Sequence, residues 1–137
     1  MILFLLNWKN AGIELIEYPQ YRHLPTKYII EKLSEFCEED IPDGDITTIS
    51  TIPEKTHVRA QIQTVEKLVF AGKVIIPLCF GKNCQVKIEP EDGETLCKGD
   101  VIGEINGPAH LILSRERVML NLIQRLCGIA TTTRQYA

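Results

Sequence analysis

The chain has 137 residues, of which 45% are hydrophobic and 24% are charged. This composition is typical of a globular domain and excludes wholesale disorder. The formal net charge is −3, whereas a dedicated nucleic-acid binder carries a basic surplus, so no nucleic-acid partner is expected. The sequence lacks the run of about 18 apolar residues that a bilayer span requires, and we predict no membrane partner.

Five cysteines and three histidines are scattered along the sequence. The cysteines are Cys37, Cys79, Cys84, Cys97 and Cys127, an odd number without a CxxC pair. This spacing supports neither a zinc site nor a disulfide framework. We therefore predict no metal ligands among these residues, reduced and mostly buried thiols, and a cytoplasmic location.

The first third of the chain contains one clearly periodic segment. Residues 1–25 show no clear period, and their short apolar start, 1–6, is interpreted either as a terminal strand or as the ragged upstream end of a reading frame. Helical spacing of apolar residues begins at Thr26, a candidate N-cap, and Pro42 predicts the end of this helix near Asp40. The acidic, glycine-containing segment that follows is a predicted turn.

The middle of the chain alternates in the manner of β-strands. Apolar and polar residues alternate over 57–65 and 85–90, and a further strand is predicted over 101–105. Residues 74–80 are mostly apolar, and the pattern fits either a short helix or a buried strand. Because the connections are short, an antiparallel sheet is expected.

The last third of the chain returns to helical periodicity. Met119, Leu122 and Ile123 recur at the spacing of an amphipathic helix. Ser114 is a candidate N-cap, and Gly128 is expected to interrupt the helix, either as a cap or as a point of close packing. Together with the strands, this helix predicts an α+β fold.

Arginine is concentrated in the predicted C-terminal helix, which contains one carboxylate, Glu116, and four arginines: Arg115, Arg117, Arg125 and Arg134. A guanidinium on a rigid helix suits bidentate binding of a carboxylate or phosphate; a solvated helix with internal ion pairs is the alternative. The acidic run over 31–45 is interpreted as a solvated face, because its spacing is not that of a calcium-binding EF-hand loop. No sequence pattern indicates a catalytic triad or a phosphate-binding glycine loop.

Two segments resemble the signatures of one enzyme family, the quinolinate phosphoribosyltransferases. Residues 39–48 read EDIPDGDITT, which resembles the family's ED-x-x-x-GD-[IL]-TT motif. Residues 116–131 read ERVMLNLIQRLCGIAT and resemble its ER-x-x-LN-x-x-x-x-x-SGIAT stretch, with Cys127 where the family usually has serine. The resemblance extends from about residue 26 to the end of the chain, whereas 1–25 match less well.

The resemblance implies a fold, a reaction and a site residue. The family has an N-terminal open sandwich, in which a four-stranded antiparallel sheet packs with helices, followed by an incomplete α/β barrel. Its members convert quinolinate and phosphoribosyl pyrophosphate into nicotinate mononucleotide, carbon dioxide and pyrophosphate, with magnesium, in NAD biosynthesis. They are homodimers in which each N-terminal domain covers the partner's barrel. Arg117 would then bind the quinolinate carboxylates in trans, across the dimer.

The resemblance also implies domain boundaries. We expect a poorly matched extension over 1–25, the N-terminal domain over 26–110, and a truncated start of the barrel domain over 111–137. Family members are considerably longer, so this chain is expected to lack most of the active site, including a DTRKT-type segment and the magnesium ligands. Alone it is expected to be inactive, and to need either the rest of its own chain or a separate barrel chain.

Three alternatives remain open at the level of the sequence, and one of them is a non-catalytic fragment or regulatory paralogue that only dimerises. A paralogue of the same superfamily, from the molybdenum-transport operon, shares the GD-[IL]-TT and SGIAT-like stretches, although the ER and LN pairs at 116–117 and 120–121 favour the quinolinate enzyme. Residues 92–105 also resemble the hairpin of lipoyl or biotinyl carrier domains, with Lys67 as the candidate modified lysine. However, Lys67 lacks the usual sequence context, and the predicted C-terminal helix has no counterpart in those domains.

Overall fold

The elements predicted from the sequence follow one another in the predicted order, and one further helix lies between the first helix and the strands. A computed structural model of the chain describes residues 23–41 and 45–136. Within these ranges it contains four α-helices, α1 Thr26–Asp40, α2 Ile46–Thr51, α3 Ile75–Phe80 and α4 Ala109–Arg134, and five strands, β1 His57–Gln63, β2 Leu68–Val69, β3 Gln85–Ile88, β4 Thr95–Leu96 and β5 Val101–Pro108. The fold is α+β, as predicted.

The main sheet has three antiparallel strands in the described residues, in the order β1-β5-β3. The short strands β2 and β4 form a separate antiparallel pair. The family resemblance implied four strands in one sheet. The described residues contain three strands in this sheet, and residues 1–6, for which the sequence suggested a terminal strand, lie outside the described residues.

The core lies between the main sheet and the helices. The largest fully buried side chains come from α3, α4, β5 and the segment after β2: Phe70, Ile76, Phe80, Ile105 and Met119. Strand β1 alternates half-buried and exposed residues, because only one of its faces lies against the core. The long helix α4 contributes its periodic apolar face, including Ile112 and Ile123, to the same core.

Helix boundaries differ from the predicted ones at three places. Thr26 is the first helical residue of α1 and follows the N-cap Pro25, whose φ of −57° suits the entry to a helix. Ser114 lies inside α4, where its hydroxyl donates to the carbonyl of Leu111 at 3.1 Å. Gly128 does not end α4: a Cβ built there meets nothing within 4 Å, and the helix continues to Arg134.

The predicted turn before residue 48 contains the start of a helix. Asp45 is the N-cap of α2: its carboxylate accepts the backbone N–H of Thr48 at 3.0 Å and the hydroxyl of the same residue. These hydrogen bonds hold the pKa of the Asp45 carboxyl below its ordinary value. The aspartate and second threonine of the GDITT segment therefore have a structural role, which is to begin α2.

Asp45 makes the stability of α2 sensitive to acid. A carboxyl with a lowered folded-state pKa stabilises the fold above its ordinary pKa of 3.8, and this contribution is lost as the pH falls through the lowered value. We expect the urea midpoints of the wild type and Asp45→Asn to differ by a constant amount from pH 7 to pH 5. Below pH 3.8 the wild type should lose stability relative to Asp45→Asn, because asparagine caps the helix without titrating. A difference that stays constant down to pH 2 would contradict this.

Candidate functional site

Two of the four α4 arginines are committed to structural hydrogen bonds. Arg115 donates to the backbone carbonyl of Cys79 at 2.5 Å, near the end of α3. Arg134 donates to the carbonyl of Gly93 at 2.6 Å and so ties the end of α4 to the turn before β4. Carbonyl groups at helix ends and turns need such donors, and a guanidinium supplies them. These two arginines hold α4 in place.

Arg117 lies at the surface and meets the end of α1. Its Nε atom is 3.5 Å from Oδ1 of Asp40, the last residue of α1. The Arg117 side chain is 76% exposed, whereas that of Asp40 is 23% exposed. The structure therefore brings together the two motifs that carry the family resemblance, since Asp40 belongs to the first and Arg117 to the second.

A cleft of about 460 Å³ separates the end of α1 from α4. It is lined from α1 by Phe36, Glu39 and Asp40, and from α4 by Val118, Asn121, Leu122 and Arg125. Arg117, Asn121 and Arg125 follow one another at four-residue intervals, which places them along one face of α4. Polar groups of both signs thus lie beside a partly apolar cleft, whose two carboxylates disfavour an anionic ligand inside it.

The second motif also holds the β2 segment in place. Cys127 packs its Sγ atom 3.4 Å from the backbone nitrogen and 3.6 Å from the carbonyl of Ala71. Thr131, one helical turn later, accepts the backbone N–H of Val69 at 2.8 Å. The side chains of the CGIAT stretch therefore satisfy backbone groups of a short strand. No local pattern in the sequence indicates this role, because the strand and the helix are far apart along the chain.

All five cysteines are free in the structure. Cys79, Cys84 and Cys127 are buried, and burial raises the pKa of the Cys79 thiol to about 12. A thiol with such a pKa is protonated at neutral pH and is a poor nucleophile. Among the described residues, no group of three histidine, cysteine, aspartate or glutamate side chains is arranged to hold a metal ion.

The hairpin of a carrier domain does not form. The strands on either side of Lys98–Asp100 have different partners, since β4 pairs with β2 and β5 pairs with β1 and β3. Lys67 lies in the exposed connection between β1 and β2 rather than at the tip of a hairpin. The carrier interpretation of residues 92–105 is therefore wrong.

A comparison with protein-family models gives one match. Residues 45–127 match the model described as "Quinolinate phosphoribosyl transferase, N-terminal domain". The chain belongs to the quinolinate phosphoribosyltransferase family. The match covers both the α2 cap at Asp45 and most of the second motif, including Arg117 and Cys127.

Relatives of this quinolinate phosphoribosyltransferase chain are similar over most of its length. It is 45% identical over 116 residues to a probable carboxylating nicotinate-nucleotide pyrophosphorylase of Bacillus subtilis, which covers 82% of the chain and 39% of the relative. It is 36% identical over 131 residues to a chloroplastic nicotinate-nucleotide pyrophosphorylase of Arabidopsis thaliana. That alignment covers 93% of the chain and 36% of the relative. The chain thus spans well under half the length of these relatives.

Solved structures share the fold described above. The nicotinate-nucleotide pyrophosphorylase of Francisella tularensis superposes with a TM-score of 0.76 at 29% identity, covering 87% of this chain and 43% of that one. The nicotinate-nucleotide pyrophosphorylase of Ehrlichia chaffeensis superposes with a TM-score of 0.72 at 34% identity. The superposition covers 77% of this chain and 40% of that one. The quinolinate phosphoribosyltransferase fold is thereby confirmed for the α+β region and the long helix α4.

Within the described residues of this family member, none of the helices has the length and apolar character that crossing a membrane requires.

The domain boundaries expected at residues 25 and 110 stay a prediction. Helix α4 begins at Ala109 and runs directly from β5 into the region that the sequence assigned to the barrel domain.

Proposed function

We propose that this chain is the N-terminal part of a quinolinate phosphoribosyltransferase. The enzyme joins quinolinate to phosphoribosyl pyrophosphate and releases nicotinate mononucleotide, carbon dioxide and pyrophosphate, a step of NAD biosynthesis. The family membership and the relatives named nicotinate-nucleotide pyrophosphorylases support this proposal. No observation on the described residues favours the molybdenum-operon paralogue.

The role proposed for Arg117 is to bind the quinolinate carboxylates of the partner subunit in a homodimer. The observation that supports it is the 76% exposure of this side chain on a rigid helix of 26 residues. An exposed guanidinium held on a helix can reach outward into a neighbouring subunit. Its planar, permanently charged fork matches a carboxylate in two parallel hydrogen bonds, which suits a dicarboxylic substrate.

Most of the chemistry would belong to residues outside this chain. The described residues offer no set of ligands for magnesium, so magnesium is proposed only as a cofactor of the whole enzyme. What this chain contributes is substrate orientation and charge: Arg117 fixes the carboxylates, and α4 fixes Arg117. The chain alone is therefore proposed to be inactive. A cytoplasmic location is proposed as well, although the Arabidopsis relative is named chloroplastic.

The test begins by reading the gene in frame beyond the codon for Ala137. We expect the frame to continue into a barrel region, and the full-length protein to release carbon dioxide in a reaction that depends on both quinolinate and phosphoribosyl pyrophosphate. Purified residues 1–137 should show no turnover under the same conditions. Turnover by residues 1–137 alone would contradict the proposed inactivity of the chain, and a full-length dimer without quinolinate-dependent turnover would contradict the proposed activity.

A further inference from the structure

The acidic end of α1 conflicts with the local preference of a helix. Glu38, Glu39 and Asp40 occupy the last turn of α1, which contains no basic residue. The C-terminal end of a helix carries a partial negative charge, so carboxylates there are unfavourable and cations are favourable. Such a departure from local preference is typical of positions that serve a function rather than the fold.

Asp40 is the one of these three carboxylates that the described structure pairs with a cation. Its Oδ1 atom lies 3.5 Å from Nε of Arg117, and its side chain is less exposed than those of its neighbours. The helix that Asp40 ends, α1, packs into the core through Ile29 and Leu33. A fixed carboxylate thus lies beside an otherwise exposed guanidinium.

Asp40 approaches the guanidinium of Arg117 at its Nε edge. A guanidinium can bind a carboxylate side-on, through Nε and one Nη, or end-on, through both Nη atoms. The closest approach of Asp40 is to Nε, and the two Nη atoms of Arg117 donate no hydrogen bond to the described residues. The end-on fork is therefore open to a second carboxylate while Asp40 holds the side of the group.

We propose that Asp40 is a positioning residue that holds Arg117 so that its end-on fork faces the substrate carboxylate. This inference rests on the proposed function of Arg117. An exposed arginine samples many rotamers, and it loses that freedom when it binds a ligand. A fixed carboxylate at Nε restricts the rotamers before the substrate arrives, and so improves binding without touching the substrate.

The same geometry predicts that Asp40 matters little for stability. Ion pairs with an exposed partner contribute little to the free energy of unfolding. Removing a negative charge from the end of α1 also relieves its unfavourable interaction with the helix dipole. Loss of the Asp40 charge should therefore affect substrate binding while the unfolding transition stays where it is.

The experiment compares variants of the full-length enzyme by steady-state kinetics and thermal unfolding. Asp40→Asn keeps the shape of the side chain and removes its charge. We expect the KM for quinolinate to rise roughly 10-fold, with the KM for phosphoribosyl pyrophosphate and the unfolding temperature unchanged. Asp40→Glu should recover most of the loss, because it restores the carboxylate. Glu38→Gln is the matched control: this carboxylate lies in the same last turn of α1 but does not line the cleft, and its substitution should leave both KM values unchanged.

Arg117→Ala separates the failure of this inference from that of the proposed function. Adding Asp40→Asn to Arg117→Ala should cause no further loss, because Asp40 acts only through Arg117. If Arg117→Ala leaves the KM for quinolinate unchanged, the proposed role of Arg117 is wrong, and the inference fails with it. If Arg117→Ala raises that KM and Asp40→Asn does not, only the inference is overturned. A lower KM for Asp40→Asn would overturn it as well, since Asp40 would then compete with the substrate.

Discussion

Arg117→Ala should lower kcat/KM for quinolinate by roughly 100- to 1000-fold in the full-length enzyme, as expected when a substrate carboxylate loses its paired cation in a closed site. Arg117→Lys should recover little of this loss, because an ammonium cannot reproduce the two parallel hydrogen bonds of the fork. Arg125→Ala is the control, since Arg125 lies eight residues further along the same exposed face of α4. Steady-state kinetics with quinolinate as the varied substrate measures both effects. Equal losses for Arg117→Ala and Arg125→Ala would contradict a specific role for Arg117.

The trans arrangement can be tested by mixing two inactive enzymes. One carries Arg117→Ala, and the other carries an inactivating substitution in the DTRKT-type segment of the barrel. If Arg117 serves the partner's barrel, each mixed dimer contains one site with an intact barrel and an intact arginine. Random exchange of subunits should then restore about a quarter of the wild-type activity. If Arg117 serves its own barrel, neither site in the mixed dimer is complete and no activity returns.

Gly103→Ala should destabilise the chain by about 3 kcal/mol, which places it among the most damaging single-methyl changes in this fold. Gly103 is buried in the central strand β5 opposite Ile88 of β3. A Cβ there would overlap the backbone carbonyl oxygen of Lys87 and lie 2.8 Å from the Ile88 side chain. The alanine variant therefore forces β3 away from β5. The shift of the urea midpoint at constant slope measures the loss.

Gly128→Ala is the matched control for that prediction, because it adds the same methyl group. A Cβ at Gly128 meets nothing within 4 Å, and the residue lies inside α4. Alanine is favoured over glycine inside a helix by about 1 kcal/mol, so this variant of the chain should be more stable than the wild type. Destabilisation by Gly128→Ala, or an unchanged midpoint for Gly103→Ala, would contradict the packing described here.

The longer elements could be predicted because their signal is local. The period of apolar residues in α1 and α4 and the alternation in β1 depend only on neighbours in the chain. Each of these elements is present at its predicted place, although α4 begins before Ser114 and continues past Gly128 to Arg134. Short elements lack such a signal. The apolar segment 74–80 fitted a helix or a strand equally well, and the structure makes most of it α3.

The choice at α3 depends on a residue far along the chain. The Asp92 carboxylate accepts the backbone N–H groups of Gly72 at 2.7 Å and Lys73 at 2.9 Å, just before the helix begins. A pattern within 74–80 cannot contain this information. The same holds for Gly128, which resembles a helix stop locally but lies in a helix that tertiary packing on both sides of it continues.

The candidate site likewise contains one residue that could be predicted from the sequence and one that could not. Arg117 could be found from the charge pattern of its helix and from the ER motif. Asp40 was assigned to a solvated acidic face, because nothing nearby in the sequence indicates a partner for it. A usable signal was present, since carboxylates at the predicted end of α1 oppose the helix dipole. That signal marks a residue that needs a cation, but it does not say which arginine supplies it.

The sequence by itself determined the α+β class, the family and the arginine on α4, because periodicity and motif spacing are properties of the chain. Only the tertiary structure decided which arginines hold the fold and that Asp40 lies beside Arg117. The physical reason is that these assignments depend on distances between groups that are remote along the chain. Arg115 and Arg134 donate to backbone carbonyls, whereas Arg117 lies beside a carboxylate at the surface, and no local pattern in the sequence indicates these partners.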